Sequence, residues 1–184
     1  VQGGKLELYG AIPQPVWTRL GDHASAGTTQ IDLAAPANWR AGDTIAVGPS
    51  DFYGVAATER LILSADASGQ RLATRSPLSA GRWGRLQHAT SAGMSLTPEP
   101  GYAPPVAPAP TVLDERAPVA NLTRNIVIQG SDDAVWRTAG FGGHVMVMGL
   151  QSKIVIDGVE MRRMGQAGTL GRYPMHWHML SYAN

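Results

Sequence analysis

The chain has no cysteine among its 184 residues. It therefore has no disulfide scaffold, no thiol nucleophile and no thiolate metal site. Lack of cysteine fits a bacterial exported protein and a cytosolic protein equally well. It removes several chemistries without identifying the compartment.

The chain also lacks a large excess of either charge and any long apolar run. The chain has 15 Lys and Arg against 14 Asp and Glu, a formal net charge of +1. Without a block of basic residues that could follow phosphates, nucleic acid is not an expected partner. No apolar stretch approaches the roughly 18 residues that a membrane-spanning helix needs, so we predict no transmembrane segment.

Nucleophile-elbow, Walker and dinucleotide motifs are absent as well, which leaves carbohydrate binding, metal binding or a scaffold role.

Short β patterns fill the first half of the chain. They are separated by proline, glycine and aspartate, the residues typical of turns. No long apolar stripe of helical period occurs, so the helix content should be low. This spacing predicts a small antiparallel β-barrel-like region over residues 11–97, with strands near residues 16–19, 29–33, 44–47, 59–63 and 70–74.

A proline-rich segment follows. Residues 98–118 hold seven of the thirteen prolines, so few backbone N–H groups there can join a sheet. We interpret this segment as a surface loop or linker. It divides the barrel-like region from a second set of strands within residues 119–184, near 125–128, 144–148, 154–161 and 175–179.

Two strand types recur in this second region. Arg124–Gly130 aligns with Ser152–Gly158 at an offset of 28, and Gly143–Val147 aligns with Met175–Met179 at an offset of 32. Self-similarity with a period near thirty, built from short β-branched runs, is typical of a stacked parallel β-solenoid. The second alignment predicts that His144 lies directly over His176 on the next coil.

Side-chain alternation divides the last strand into two faces. Met175, Trp177 and Met179 fall on one side of an extended strand, and His176 and His178 fall on the other. We expect the apolar row to be core and both histidines to face outward. The chemistry-bearing groups of this region would then share one solvent-accessible wall.

His144, His176 and His178 admit three interpretations. They could form a facial metal site for a divalent ion such as zinc or calcium, with Glu160 or Asp157 completing or orienting it. They could instead be a hydrogen-bonded stack of imidazoles without a ligand. In the third interpretation they bind a glycan or act on it as general acid or base near neutral pH.

The remaining candidates lie close by. Arg172 could hold a carboxylate with its guanidinium fork, and Arg163 could widen the same anion-binding surface. Tyr173 could stack on a sugar or donate a proton, although Arg and Tyr also pack the corners of solenoid turns. Glu160 and Asp157 have the spacing for the two carboxyl groups of glycoside hydrolysis, but an Asp-Gly pair is also an ordinary turn.

These motifs together resemble a known family. The match runs through Trp39–Asp43 with Ile45 and Val47, Asp51, Glu59, Leu122–Ile126 with Gly130, Gly143–His144, Val159–Glu160 and the long segment Met164–His178. It resembles the family of the cell-migration-inducing hyaluronan-binding protein, the transmembrane hyaluronidase and the fibrocystins. Residues 1–10 look like the tail of the eight-glycine domain of that family.

The resemblance implies an extracellular or secreted all-β protein with a right-handed parallel β-helix in its C-terminal part. It further implies that the chain binds or cleaves an acidic polysaccharide such as hyaluronan. Two features depart from the family: Pro118 replaces an acidic residue, and residues 98–110 form an extra loop. Because cysteine is absent, we expect a bacterial relative whose glycan need not be hyaluronan.

Two functional hypotheses follow. The first is a polysaccharide hydrolase or lyase in which His144, Tyr173, His176, His178 and Glu160 carry the chemistry while Arg172 and Arg163 hold the substrate. The second is a non-catalytic glycan-binding or adhesion module that uses the same face.

Overall fold

A computed structural model describes residues 1–51 and 57–179, with the backbone alone for Thr58 and Glu59. Residues 180–184, the end of the predicted β-helix range, lie outside the described residues. In the described ranges the chain forms short strands and one helix: β1 (Lys5–Tyr9), β2 (Trp17–Arg19), β3 (Gln30–Asp32), β4 (Thr44–Val47), β5 (Thr58–Ala65), β6 (Arg71–Thr74), β7 (Gln87–Thr90), β8 (Gly93–Ser95), β9 (Val112–Leu113), β10 (Pro118–Asn121), β11 (Ile126–Gln129), α1 (Ala134–Ala139), β12 (Val145–Met148), β13 (Lys153–Asp157), β14 (Val159–Arg162) and β15 (Met175–His178).

The fold is all-β, as the sequence predicts, and it divides into two compact units. One unit is the continuous segment Pro13–Thr123, and the other joins Val1–Ile12 to Arg124–Asn184. No helix in the described ranges is long and apolar enough to cross a membrane.

The continuous unit is built on a curled antiparallel sheet in the order β2-β10-β4-β5-β6-β3. Its two edge strands meet through an antiparallel bridge between Leu20 and Leu33, next to a hydrogen bond of 2.9 Å from the Ala34 amide to the Arg19 carbonyl. The pairing explains the barrel-like pattern read from the sequence, because a sheet that curls until its edges touch encloses one face.

Alternating side chains fill that enclosed face. Every second residue of β4, β6 and β10 is buried, so each of these strands contributes two side chains to the interior. The core includes Leu20, Ile31, Leu33, Trp39, Ile45, Val47, Ile62, Leu72, Leu78, Ala117 and Val119. Trp39 is buried as expected, and its indole N–H donates to the Pro15 carbonyl at 2.8 Å.

The proline-rich segment is shorter than the predicted loop. Thr111–Leu113 breaks the run of prolines, and β9 uses its Val112 and Leu113 to pair with β7 in a three-stranded sheet of order β8-β7-β9. Pro118 opens β10, which lies between β2 and β4 in the curled sheet. The boundary therefore falls after Thr123 rather than at residue 119, because β10 completes the antiparallel sheet.

An ion pair after β9 makes the stability of this unit sensitive to acid. The Arg116 guanidinium donates to the Asp114 carboxylate at 2.8 Å, and this hydrogen bond lowers the pKa of Asp114 to about 2. Because the folded pKa lies below the unfolded one, the stabilisation is present above about pH 4 and is lost as the pH falls toward 2.

Replacing Asp114 by asparagine should therefore flatten the stability profile between pH 4 and pH 2. The change should be about 1 kcal/mol or less, because the pair is partly exposed and screened. Urea midpoints at several pH values measure it. An equally steep acid decline in Asp114→Asn would contradict the assignment.

The other unit consists of three two-stranded parallel sheets, β1-β13, β11-β14 and β12-β15. The first member of each pair comes from one turn of the chain and the second member from the next turn. The Pro13–Thr123 unit is inserted between β1 and β11. The N-terminal strand, interpreted above as the tail of a preceding domain, is thus one side of this unit, with Leu6 beside Ile154.

Both predicted offsets are wrong, although parallel stacking is correct. Ile126 of β11 lies beside Val159 of β14, and β13 lies on β1 instead. A turn at Gly158, where φ is +63°, separates β13 from β14 and makes them different sides of one coil. Because β11 and β13 both contain Ile-Val-Ile, the sequence alignment treated them as the same side of successive coils, although they lie on different sides.

The second error is a shift of two residues. His176 lies beside Met146, not over His144, and Trp177 lies beside Val147. A shift of two preserves which face each side chain occupies, so the apolar pattern cannot distinguish the two registers.

The expected burial of the apolar row is also wrong in part. Val147 is fully buried, but Trp177 is 52% exposed and Met179 is 87% exposed. In the part of the chain that the structure describes, no strand pairs with the other edge of β15. Trp177 therefore lies on the same face of the sheet as Val147, but no further strand in the described residues covers its side chain.

Candidate functional site

A cavity of about 600 Å³ opens beside β12 and β15. This volume lies within the range of about 300–1,000 Å³ that is usual for small-ligand sites. Its walls contain five of the seven residues predicted as a site. The lining residues are His144, Met146, Leu170, Gly171, Arg172, Tyr173, His176, His178 and Met179.

A tight loop before β15 presents Arg172 and Tyr173. The amide of Gln166 donates to the Arg172 carbonyl at 2.8 Å and closes the base of the loop. Inside it, the amide of Arg172 donates to the Thr169 carbonyl at 3.2 Å. Gly168 and Gly171 have φ of +71° and +81°, values that glycine adopts without strain. The Gly-Thr-Leu-Gly sequence therefore sets the shape of this wall.

Strand register brings His144 next to the loop. The Val145 amide donates to the Pro174 carbonyl at 3.1 Å, so the preceding residue, His144, lies close to Arg172. Arg172 Nη1 lies 3.0 Å from His144 Nε2. The same Nη1 lies 3.5 Å from His144 Nδ1, so the guanidinium contacts both ring nitrogens, and because a guanidinium can only donate, the imidazole is the acceptor.

His176 is oriented by the backbone of the same loop. Its Nδ1 lies 2.7 Å from the Gly171 carbonyl oxygen. Because that oxygen can only accept, Nδ1 carries the proton and the Nε2 of the neutral ring keeps its lone pair. A Cβ at position 171 would lie 3.4 Å from His176 Cε1, so glycine also leaves room for the ring.

Aromatic rings connect the rest of the cavity wall. The rings of Tyr173 and His176 meet edge to face at 5.1 Å between centroids, and those of His176 and His178 do so at 5.3 Å. Such T-shaped contacts are favourable aromatic geometries. They place one phenol and two imidazoles in a continuous row.

The electrostatic character of the cavity favours an anion. Its described lining residues include one arginine and three histidines but no aspartate or glutamate. Within the described ranges Arg172 makes no ion pair, whereas Arg71 and Arg137 each hold an aspartate. A guanidinium that is permanently charged and has free donors is a natural partner for a carboxylate.

Two predicted site residues do not reach the cavity. Glu160 is bound by the Arg162 guanidinium of its own strand. Arg163, with φ of +48°, donates to the Gly130 carbonyl at 3.0 Å and to Gln129 Oε1 at 2.8 Å. It therefore joins adjacent turns of the chain. Asp157, the other carboxylate considered, ends β13, and its carbonyl accepts from the Gly10 amide at 2.8 Å.

The predicted histidine metal site is not preassembled. In the described part of the chain, no group of three or more His, Asp or Glu side chains has an arrangement suited to a metal ion. His144 contacts Arg172, whereas His176 and His178 contact each other.

Sequence reasoning missed four lining residues: Met146, Leu170, Gly171 and Met179, the last of which was expected in the core. Met146 enters the wall through the true register with His176. Leu170 is 90% exposed at the tip of the loop, beside Gly171. The spacing Gly168-x-x-Gly171 was a readable signal for a tight turn.

Comparison with known proteins gives a consistent result. The family model described as CEMIP beta-helix matches residues 140–184, which include the cavity. Human fibrocystin-L is 31% identical over 98% of this chain, and mouse fibrocystin-L is 30% identical over the same share. The human cell surface hyaluronidase CEMIP2 is 41% identical over 36% of this chain.

The chain spans only 5% of the length of each of these relatives. Among solved structures, the tailspike protein gp49 from Pseudomonas phage LKA1 covers 88% of this chain and 20% of its own, at 12% identity and a TM-score of 0.34. That similarity is too low to bear on the fold. The sequence matches confirm the predicted family, while the bacterial source stays a prediction. The chain is thus a relative of the fibrocystin-L and CEMIP2 proteins.

Proposed function

We propose that this chain belongs to an extracellular protein that binds an acidic polysaccharide in the cavity and cleaves it there. The observation that carries the proposal is Arg172, a guanidinium without a carboxylate partner in the described chain, placed among three histidines and a tyrosine. The relative named cell surface hyaluronidase supports both the location and the class of glycan.

The proposal includes the right-handed parallel β-helix. Three parallel strand pairs, each formed by successive turns, are what two coils of such a helix would contain. Parallel strands joined by crossovers are almost always connected with a right-handed sense. A stacked face of this kind would offer repeating positions along a linear polymer.

Two-carboxylate hydrolysis is poorly served by this cavity. It commonly needs one protonated and one ionised carboxyl group at the bond that breaks. The described lining residues provide neither, and Glu160 is held by Arg162. Imidazole and phenol groups instead suit proton transfer without a carboxylate pair.

β-Elimination at a uronate uses the groups that are present. His176 Nε2 would take the proton from C5 of the uronate while Arg172 neutralises its carboxylate. The electron pair would form the C4–C5 double bond as the C4–O bond breaks, and Tyr173 would protonate the departing oxygen. No water is consumed, and the new chain end is an unsaturated sugar.

Incubation of the full-length protein with hyaluronan, chondroitin and pectin tests the proposal. Size-exclusion chromatography reports chain length, and ultraviolet absorbance reports unsaturated products. We expect shortening of an acidic glycan with a rise in absorbance. Shortening without absorbance would indicate hydrolysis, and binding without shortening would support the alternative of an adhesion module.

Arg172→Ala should weaken binding of the acidic glycan about 10- to 100-fold, because hydrogen bonds to a charged group are lost. Arg172→Lys keeps the charge but loses the forked guanidinium, so its affinity for the glycan should lie between those of the unaltered protein and Arg172→Ala. Arg71→Ala, which removes an exposed arginine of the other unit, is the matched control. Equal losses in Arg172→Ala and Arg71→Ala in titration calorimetry would contradict a specific contact.

The divalent metal, zinc or calcium, also stays a prediction. Elemental mass spectrometry of the purified full-length protein, with and without His178→Ala, measures it directly. Bound metal that disappears in the variant would establish that His178 is a ligand.

A further inference from the structure

A second cavity adjoins the cavity that the three histidines line. It measures about 340 Å³ and is also lined by Trp136, Gln166, Ala167 and Pro174. Arg172 and Tyr173 are the two residues that it shares with the histidine cavity. A ligand longer than one sugar can therefore occupy both sides of this pair.

Helix α1 brings Trp136 to this cavity. The Asp133 carboxylate accepts from the Trp136 amide at 2.9 Å and caps the helix, while the Gly140 amide donates to the Trp136 carbonyl at 2.9 Å. The two bonds cap both ends of the six-residue helix that carries the indole. Trp136 is half-buried, so part of its ring remains available to a ligand.

The floor of the second cavity is held to the loop that carries Arg172. The Ala167 amide donates to the Gly140 carbonyl at 3.0 Å, and Gln166 Nε2 donates to the Gly142 carbonyl at 3.2 Å. Gly142 is required here, because a Cβ would lie 2.3 Å from the Arg163 carbonyl oxygen. The end of the helix that carries the indole is thus hydrogen-bonded to the loop that carries the guanidinium.

We propose that the second cavity is a sugar subsite in which Trp136 supplies an apolar platform for the unit next to the uronate held by Arg172. This inference rests on the proposed function and adds the path of the glycan chain. The chain crosses the Arg172–Tyr173 pair, with sugar units on both sides. An indole offers the large flat apolar surface that the hydrogen-bearing face of a sugar ring can cover.

Titration calorimetry with hyaluronan oligosaccharides tests the subsite. The full-length protein is titrated with the disaccharide, the tetrasaccharide and the octasaccharide, and each titration is kept too short for cleavage to occur. The octasaccharide should bind more tightly than the disaccharide. Trp136→Ala should weaken octasaccharide binding about five- to tenfold and change disaccharide binding less than about twofold.

Val135→Ala is the matched control, because Val135 is an exposed residue of the same helix that lines neither cavity. It should bind all three oligosaccharides as the unaltered protein does. Trp136→Phe, which keeps a flat ring, should recover most of the loss and shows that the helix has not unfolded.

Two results would overturn the subsite. If disaccharide and octasaccharide bind equally, or if Trp136→Ala weakens both to the same extent, the second cavity takes no sugar although the proposed function stands. If no hyaluronan oligosaccharide binds although the full-length protein shortens chondroitin or pectin, the subsite fails alone; if none binds and no acidic glycan is shortened, the proposed function fails as well.

Discussion

Replacement of His176 by alanine is expected to lower glycan cleavage by about 10²- to 10⁴-fold, the usual contribution of a general acid or base. His176 donates Nδ1–H to the Gly171 carbonyl and points its free Nε2 lone pair away from that contact. The stability cost should stay near 1 kcal/mol, because one hydrogen bond is lost from a half-buried ring. Initial rates on hyaluronan and a urea unfolding curve measure the two quantities.

Two further variants separate proton transfer from orientation. His176→Asn restores a donor near the position of Nδ1 and should recover stability without recovering cleavage. His88→Ala removes a half-buried histidine of β7, in the other unit, and should leave the rate unchanged. If His176→Asn cleaves as fast as the unaltered protein, His176 does not transfer a proton.

Replacement of Ile45 by alanine is expected to destabilise the Pro13–Thr123 unit by about 2–5 kcal/mol. Ile45 is fully buried in β4, so the truncation removes apolar burial and leaves a cavity in the curled sheet. Chemical denaturation followed by tryptophan fluorescence measures the loss, since Trp39 belongs to the same core.

Leu63→Ala is the control for this prediction. Leu63 lies on β5 of the same sheet but is 50% exposed. Its truncation should cost about 1 kcal/mol or less, because water already covers much of the side chain. Equal losses in the two variants would mean that β4 does not face the core in the register described.

The metal and imidazole-stack interpretations of the three histidines now differ in what they require. A stack of imidazoles without a ligand needs the three rings to contact one another, and the structure contains this contact only between His176 and His178 among the described residues. A three-histidine metal site needs His144 to leave the Arg172 contact. Glycan binding also uses the arrangement as it stands, and it alone gives a role to the Arg172 guanidinium, which has no carboxylate partner among the described residues.

The amino-acid sequence was sufficient for the class of fold and for the segment that carries most of the candidate site. Short β patterns separated by turn residues, including those of β4 and β6, indicated an antiparallel barrel-like region, whereas no pattern in the sequence indicated that β10 joins it. Arg172, Tyr173, His176 and His178 lie within seven residues, so any fold that orders this segment brings them near one another. The motif around them was also enough to predict the family.

Tertiary structure decided the rest, because the undecided features depend on which strand lies beside which. A two-residue shift keeps every side chain on its face, so only the actual pairing could place Met146 beside His176 and His144 beside Arg172. Pairing of β1 with β13 joins residues nearly the whole chain apart, and no local pattern encodes it. Glu160 and Arg163 have the right chemistry, but their hydrogen bonds hold them outside the cavity.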